Sequence, residues 1–449
     1  MDRIQIAEKI AEEVKKQGGR VFYVGGAVRD KLLSIDCKDV DIEVHGITAQ
    51  QLYSILETIG QPLSFGQSFG VYAIKGYDLD IAMPRKEVKT GNGHKDFDIS
   101  VDPFISLEDA ARRRDFTINA FMEDVLTGEI IDCFNGKEDL KNKIIRHIDD
   151  KSFVEDPLRV LRAAQFSARF EFEIAEDTIR LCQNIDTTSL SRERIEEEMK
   201  KALLKADKPS IFFTSLEKMN QLDYWFAEIK QLIDIRQDEI YHPEGDVFTH
   251  TMMVLDAAAQ YRDKVDNPYA FMLFALCHDL GKIVTTETVK GRIHAYNHEI
   301  EGVRIAKELL NRICKENDIT KYVLNMIPLH MRPNAIAYNK SSIKSSNHLF
   351  DEAIAPKDLI YFSVCDHPII MNNELFNDHS PFLFERLKIY DETMAKDYVK
   401  GQDLIDNGLI PDKDFSDILS YAHKLRLAGI EKENALKQTL AYARKNKKQ

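Results

Sequence analysis

Cysteine is scarce in this sequence and never clustered, tryptophan occurs once, and no apolar run reaches membrane-spanning length. The six cysteines, at 37, 133, 182, 277, 314 and 365, include no C-x-x-C pair. That excludes a disulfide scaffold or zinc ribbon and leaves reduced, buried thiols of a cytoplasmic protein. A membrane span needs about 20 consecutive apolar residues. The opening MDRIQIAEKIAEEVKKQGG has helical amphipathic spacing and is not a secretion signal. Positive charge is in deficit too: the net charge of −13 excludes a broad, sequence-blind basic surface for nucleic acid. Local basic tracks remain, at Arg112–Arg114, Lys137–Arg146, Lys200–Lys208 and Arg444–Lys448. What is present, 44% hydrophobic and 30% charged residues over 449 positions, describes a globular chain of two to four domains.

The stretch from Val21 to Gly46, VFYVGGAVRDKLLSIDCKDVDIEVHG, reads as strand, glycine turn, short helix, loop and second strand. Gly25-Gly26 lets the backbone turn tightly into the helix, whose free N-terminal amides suit phosphate. Asp39 and Asp41 leave one face of the second strand, with Cα atoms ~6.6 Å apart. Two hard oxygen ligands at that spacing can share Mg2+ with a triphosphate. Glycine turn and paired carboxylates together describe a nucleotidyl-transfer site.

A third carboxylate is expected from a neighbouring strand. Tyr77–Met83 reads as that strand and puts Asp78 and Asp80 on one face; Asp80, between Leu79 and Ile81, is preferred. Ala49–Ile59 reads as a helix and Gly70–Ile74 as a strand. Residues 84–103 lack apolar periodicity and read as a mobile loop, leading into a helix over Leu107–Phe121. From Leu140 onward the pattern is helical throughout.

GGAVRD followed by DVDIEV resembles the class II nucleotidyltransferases, the family of bacterial CCA-adding enzymes and poly(A) polymerases. The resemblance implies an α+β head with a mixed β-sheet, then an all-α neck, body and tail. It implies metal-dependent transfer of CMP and AMP from CTP and ATP to the 3′ end of tRNA, with Asp39 and Asp41 on Mg2+. In RRDFTINA it assigns Arg113 or Arg114 to triphosphate or sugar, with Asp115 and Asn119 alongside. Guanidinium forks suit phosphate oxygens, and Asn suits a ribose hydroxyl. Gly25, Gly26, Arg29 and Arg162 complete the nucleotide-binding candidates.

Glu155–Arg159, EDPLR, matches the EDxxR motif of the family, which reads the incoming base. Pro157 fits a first helical turn, Leu158, Leu161 and Ala164 form an apolar stripe, and Asp156 and Arg159 share a face. Cytosine and adenine carry an exocyclic amine beside a ring acceptor, so a carboxylate accepts from the amine while Arg donates to the ring. Uracil and guanine turn a carbonyl toward the carboxylate, and a site built on such bonds discriminates strongly. Ser191–Leu204 reads as a further helix whose Arg194 and Glu197 fall in a supporting motif of the family.

A second constellation is His250, His278-Asp279, His298, His330 and Asp366, each at or near a helix end. Imidazoles mixed with carboxylates suit Mn2+, Ni2+, Co2+ or Fe2+ better than Mg2+ alone. The order H…HD…H…H…D with HDLGK resembles the HD phosphohydrolase domain, which is fused to some CCA-adding enzymes. By that resemblance His250, His278, Asp279 and Asp366 are metal ligands, and His298 and His330 meet a second metal or a substrate phosphate.

The expected domains are a catalytic head over 1–144, a base-recognition neck over 145–206, an HD-type body over 207–399 and a helical tail over 400–449. The partners expected are tRNA, CTP and ATP, with no membrane. Phosphate or 2′,3′-cyclic phosphate ends are the expected HD substrate. The competing readings are a poly(A) polymerase, a CC-only or A-only enzyme, and an HD phosphohydrolase whose head only senses nucleotide or binds RNA. The fused HD domain opposes the first and the intact carboxylate pair opposes the last.

Overall fold

Alternation along two strands decides the architecture of the N-terminal region. In the computed structural model, which describes residues 2–35, 40–64, 70–89, 97–240, 242–366, 370–371, 374–375 and 378–446, contacts divide the chain into two units. One comprises Met1–Leu190 with Thr214–Gln221, the other Ser191–Phe213 with Leu222–Gln449.

The first unit holds β1 (Arg20–Val24), β2 (Asp41–His45), β3 (Pro62–Ser64), β4 (Val71–Ile74), β5 (Asp80–Ala82), β6 (Arg85–Lys89), β7 (Phe97–Val101), β8 (Met122–Asp124) and β9 (Ile130–Ile131). Seven of these make a mixed sheet in the order β3-β4-β5-β2-β1-β8-β9, with β2 and β5 as its parallel pair. The helices α1 (Arg3–Lys16), α2 (Gly26–Leu32), α3 (Ala49–Ile59) and α4 (Leu107–Arg112) surround it, and α5 (Leu158–Phe170) follows. Capping boxes, Asp2 with Gln5 and Thr48 with Gln51, start α1 and α3. Ile42 and Val44 of β2 pack on Ile6, Ile10 and Val14 of α1 and Leu52 and Leu56 of α3. Deleting one such side chain, as in Ile42→Ala, would cost roughly 2–5 kcal/mol. Phe22 and Val24 face the other way, against Met122 and Ala110. The alternate residues of β2, Asp41, Glu43 and His45, therefore share the face opposite α1 and α3.

The second unit is mostly helical: α6 (Arg192–Lys205), α7 (Val247–Ala259), α8 (Pro268–Cys277), α9 (His298–Ile313), α10 (Arg332–Tyr338), α11 (Ile343–Glu352), α12 (Pro356–Cys365), α13 (Phe415–Leu427) and α14 (Lys432–Asn446). PYAFMLFALC, apolar on every side, makes α8, and its nine residues from Tyr269 to Cys277 are buried. In α6 the buried stripe is Ile195, Met199, Ala202 and Leu203, as its spacing predicts. Toward the C-terminus Leu404, Leu409, Ile418 and Ala443 form a small core of their own. No described helix is long and apolar enough to cross a membrane.

Four local expectations need correction. The helix expected over Leu107–Phe121 stops at Arg112; Phe116 is extended and bridges to His147, and a short 3-10 turn covers Thr117–Asn119. The strand expected over Tyr77–Met83 is limited to Asp80–Ala82. Within the expected loop over 84–103, β6 and β7 pair from Arg85 opposite Val101. The region after Leu140 also contains strands: β10 (Ile144–Ile145) pairs with β11 (Glu173–Ile174), and β12 (Thr286–Val289) with β13 (Arg292–Ala295).

Candidate functional site

At the head, Gly25 turns the chain with φ +64° between β1 and α2. A side chain there would be strained, and a Cβ would stand 3.0 Å from Nη1 of Arg114. Asp41 opens β2 and lies in register with Asp80, which opens β5; both are exposed. Adjacent strands run about 4.8 Å apart, so these carboxylates stand side by side. Asp78 precedes β5 and has no place in the ladder. Asp39 lies outside the described residues.

Two positions beyond Asp41, Glu43 is 1% exposed. It accepts from Nη2 of Arg113 at 3.3 Å and Nη2 of Arg114 at 3.4 Å, and its other oxygen is 2.9 Å from Nε2 of His45. Burial alone would raise its pKa; the His45 hydrogen bond and the charges of Arg114 and Arg113 outweigh that and bring it to about 2. The sequence reading missed Glu43. Its signal was available: the period of two through Asp39 and Asp41 continues to Glu43 and His45.

The remaining nucleotide candidates form a closed polar network. Arg29, 3% exposed, donates to Asp30 at 2.6 and 2.8 Å and to Oδ1 of Asn119 at 2.5 Å. Its guanidinium lies over the Phe166 and Phe170 rings. Asn119 donates to Asp115 at 2.9 Å, and Nε of Arg162 donates to the other Asp115 oxygen at 2.7 Å. Burial raises the Asp115 pKa, but Arg162 and Asn119 hold it below the usual carboxylate range. This network joins α2, the RRDFTINA turn and α5. At the start of α5, Asp156 accepts from the Leu158 amide, while Arg159 donates to the carbonyls of Ser152 and Arg113 at 2.7 and 2.5 Å.

In the second unit one local device recurs three times. Nδ1 of His278, His298 and His330 donates to the carbonyl three residues earlier, at Ala275, Ala295 and Ile327, over 2.7–2.8 Å. A carbonyl only accepts, so Nδ1 carries a proton and Nε2 is the ring atom each histidine turns toward a ligand position. The HDLG turn presses so closely on α9 that a Cβ on Gly281 would stand 1.9 Å from the His298 carbonyl oxygen. Nε2 of His278 lies 3.2 Å from Asp279 and 3.4 Å from Asp366; Nε2 of His250 lies 3.1 Å from Asp366. His298 reaches Asp279 at 3.3 Å, and its Nε2 faces that of His330 at 3.3 Å.

Two triads, His250/His278/Asp279 and Asp279/His298/His330, each place their ligand atoms within 4.8 Å of one another and share Asp279. Burial lowers the His278 pKa, but Asp279 and Asp366 outweigh it and raise it to about 10. Burial dominates at His330 and lowers its pKa to about 4. Nε2 of His278 and Oδ2 of Asp279 are buried and, among the described residues, make no well-aligned hydrogen bond, although charged neighbours stand within ion-pair distance of both. Imidazole and carboxylate ligand atoms converging on a shared Asp279 fit a divalent cation.

Residues outside the expected set complete this site. Lys282, 8% exposed, contacts Asp279 at 2.7 Å and donates to Gln237 at 2.7 Å. Glu244 takes Nδ1 of both His250 and His242, at 2.7 and 2.9 Å, and so orients the His250 ring. Lys282 was visible in HDLGK, whereas Gln237, His242 and Glu244 carry no spacing signal. A cavity of about 370 Å³ adjoins Asp279, Lys282, His298 and Asp366 and is walled on another side by Ile293, Ala295 and Met331.

Residues 21–146 match the family profile described as the Poly A polymerase head domain, and residues 247–367 match the HD domain. Both kinds of domain are metal-dependent. The Multifunctional CCA protein of Actinobacillus pleuropneumoniae serotype 5b (strain L20) is 37% identical over 325 residues, covering 71% of this chain and 77% of that protein. The Multifunctional CCA protein of Haemophilus ducreyi (strain 35000HP / ATCC 700724) is 38% identical over 327 residues, with the same coverage. Among solved structures, the Thermotoga maritima CCA-adding enzyme complexed with tRNA matches with TM-score 0.64 at 20% identity, over 98% of this chain and 94% of that one. A CCA-adding enzyme in complex with ATP matches with TM-score 0.67 at 20% identity, over 99% and 95%. At such identities the structural matches speak for the fold.

Proposed function

The chain belongs to the multifunctional CCA protein family, and we infer that it adds CMP and AMP from CTP and ATP to the 3′ end of tRNA without a nucleic-acid template. The observation that carries the site assignment is the strand register of Asp41 and Asp80 on the sheet face where Glu43 holds Arg113 and Arg114 beside the Gly25 turn. Asp39, Asp41 and Asp80 would hold Mg2+, which neutralises triphosphate charge and acidifies the terminal 3′-hydroxyl. Arg113 and Arg114 take phosphate oxygens, and Glu43 aims them. Asp156 accepts from the base amine. Arg159 donates to the ring once released from its carbonyl partners. Arg29, Asp115, Asn119 and Arg162 hold the nucleotide pocket through their mutual bonds. Residues 1–144 act as catalytic head, 145–206 as base-recognition neck, 207–399 as HD body and 400–449 as tail, in a cytoplasmic enzyme.

The buried histidine and carboxylate cluster favours a second activity, hydrolysis of a phosphate or 2′,3′-cyclic phosphate on a damaged RNA 3′ end. His250, His278, Asp279 and Asp366 would hold one cation, and His298 and His330 a second cation or the phosphate. The imidazole-rich set suits Mn2+, Ni2+, Co2+ or Fe2+, with Mg2+ the weaker fit. Such a metal lowers the pKa of bound water and supplies a nucleophile at neutral pH. Lys282 orients Asp279.

The test uses tRNA ending at the discriminator base, with labelled CTP and ATP added separately and together. Two C residues from CTP alone, completed by one A, are expected. Homopolymer from ATP alone would point to a poly(A) polymerase, and arrest after CC, or action only on a CC end, to a partial enzyme.

A further inference from the structure

Beside the HD cavity lies a second depression of about 520 Å³, lined by Arg332, Ala335, Asn339, Lys344, Ser345 and His348 among others. Helix α10 separates the two: Met331 and Asn334 line the cavity, and Arg332 and Ala335, one residue further on, line the groove. His330 of the ligand cluster immediately precedes this stretch. Among the described residues no carboxylate lines the groove, on a chain of net charge −13. Glu352, outside the lining, pairs with Arg332. Lys344 is exposed and forms no ion pair among the described residues. Arg386 donates to the Ser341 carbonyl at the same edge. Tyr338, at the end of α10, is 80% exposed, and Met331 at its start is 48% exposed.

Cations, small hydroxyls and an exposed aromatic ring beside a phosphohydrolase cavity have the chemistry of a single-stranded nucleic-acid track. Cations follow the backbone and rings stack on bases. A free mononucleotide fills only the cavity, and a basic groove on the other side of α10 gives that substrate nothing.

We propose that the groove between α10 and α11 seats the phosphates just upstream of an RNA 3′ end whose terminal nucleotide enters the HD cavity. The HD substrate is then a polymer end and not a free nucleotide. The inference rests on the phosphohydrolase reading above. Arg332 and Lys344 contact backbone phosphates, and Tyr338 offers a stacking face to an upstream base.

The full chain, supplied with Mn2+ or Ni2+, would be given a short oligoribonucleotide ending in a 2′,3′-cyclic phosphate and, separately, a 2′,3′-cyclic mononucleotide. The wild type should favour the oligonucleotide in kcat/KM, with an advantage that shrinks as salt rises. Lys344→Glu should cut that advantage about tenfold and lower the salt slope by about one, leaving the mononucleotide rate unchanged. Tyr338→Ala should act in the same direction without changing the salt slope. Equal use of both substrates by the wild type overturns the track, as does an oligonucleotide rate indifferent to Lys344→Glu; the groove would then serve a protein partner or none. Hydrolysis of neither substrate overturns the phosphohydrolase reading, and this one with it.

Discussion

The two candidate sites gather ligands by different means. In the head, strand alternation sets Asp41, Glu43 and His45 on one face, and parallel pairing brings Asp80 beside Asp41; the outermost carboxylates are exposed. In the HD body, side chains from several helix ends converge, and His250, His278, Asp279, His298 and His330 are all at most 7% exposed. The open arrangement suits a large triphosphate and an RNA end, which must enter and leave. The closed one fixes imidazoles against backbone carbonyls and is stable as a unit only when charge inside it is balanced.

The largest expected effect tests whether the two are independent. Asp41→Ala should reduce incorporation of both CMP and AMP to background while hydrolysis of 2′,3′-cyclic ends persists. His278→Ala should do the reverse, leaving CCA addition within a few-fold. A variant that damages both activities in a folded protein would merge the sites.

Next comes the electrostatics, where the two differ in sign. The Glu43 pKa is lowered from 4.5 to about 2, so its stabilisation is present in full above 4.5 and is lost as pH falls through about 2. Its size is about 3 kcal/mol at neutral pH. Glu43→Gln should therefore lose stability most at pH 7 and progressively less below pH 4.5, measured by urea unfolding. The His278 pKa is raised from 6.5 to about 10, so in chelator-treated protein its contribution is full below 6.5 and disappears as pH rises through about 10. The cost of His278→Asn in that state should shrink at high pH, where that of Glu43→Gln does not.

Base choice is expected to rest on the neck, through Asp156. Asp156→Ala should cost about 1.5–3 kcal/mol in nucleotide affinity and let UTP or GTP compete, measured by incorporation of all four nucleotides. A uniformly slower enzyme with unchanged selectivity would make Asp156 a helix-start residue, as its bond to the Leu158 amide allows. Confined to the HD body is Gly281→Ala. The added methyl meets the backbone of His298 and Gly302, which must shift, so the cost should be about 3 kcal/mol or more, seen as weaker metal retention and slower hydrolysis with CCA addition intact.

Parts of both sites were legible because they depend on local periods. The glycine turn, the alternating acids of β2 and the order of histidines through HDLGK are properties of neighbours in sequence. The β12–β13 hairpin was legible and overlooked: Lys290-Gly291, both with positive φ, joins Val289 to Arg292 as a two-residue turn. Other features had no local signature. The Leu107–Phe121 segment has helical composition, yet Phe116 pairs with His147 and the Thr117 amide donates to the Arg146 carbonyl. Those distant partners override propensity.

The sequence by itself determined the mixed head, the helical body, the paired acids on one strand face and the HD ligand series, because strand and helix periods act within a few residues. Only the tertiary structure decided that Asp80 and not Asp78 stands beside Asp41, since register is a property of two strands. It alone closed Arg29, Asn119, Asp115 and Arg162 on one another, and it alone put Asp279 between two histidine pairs. The deciding partners come from distant stretches of the chain: backbone pairing selects them for the exposed Asp41 and Asp80, and packing and charge compensation select them for the two buried clusters, whose polar groups leave water.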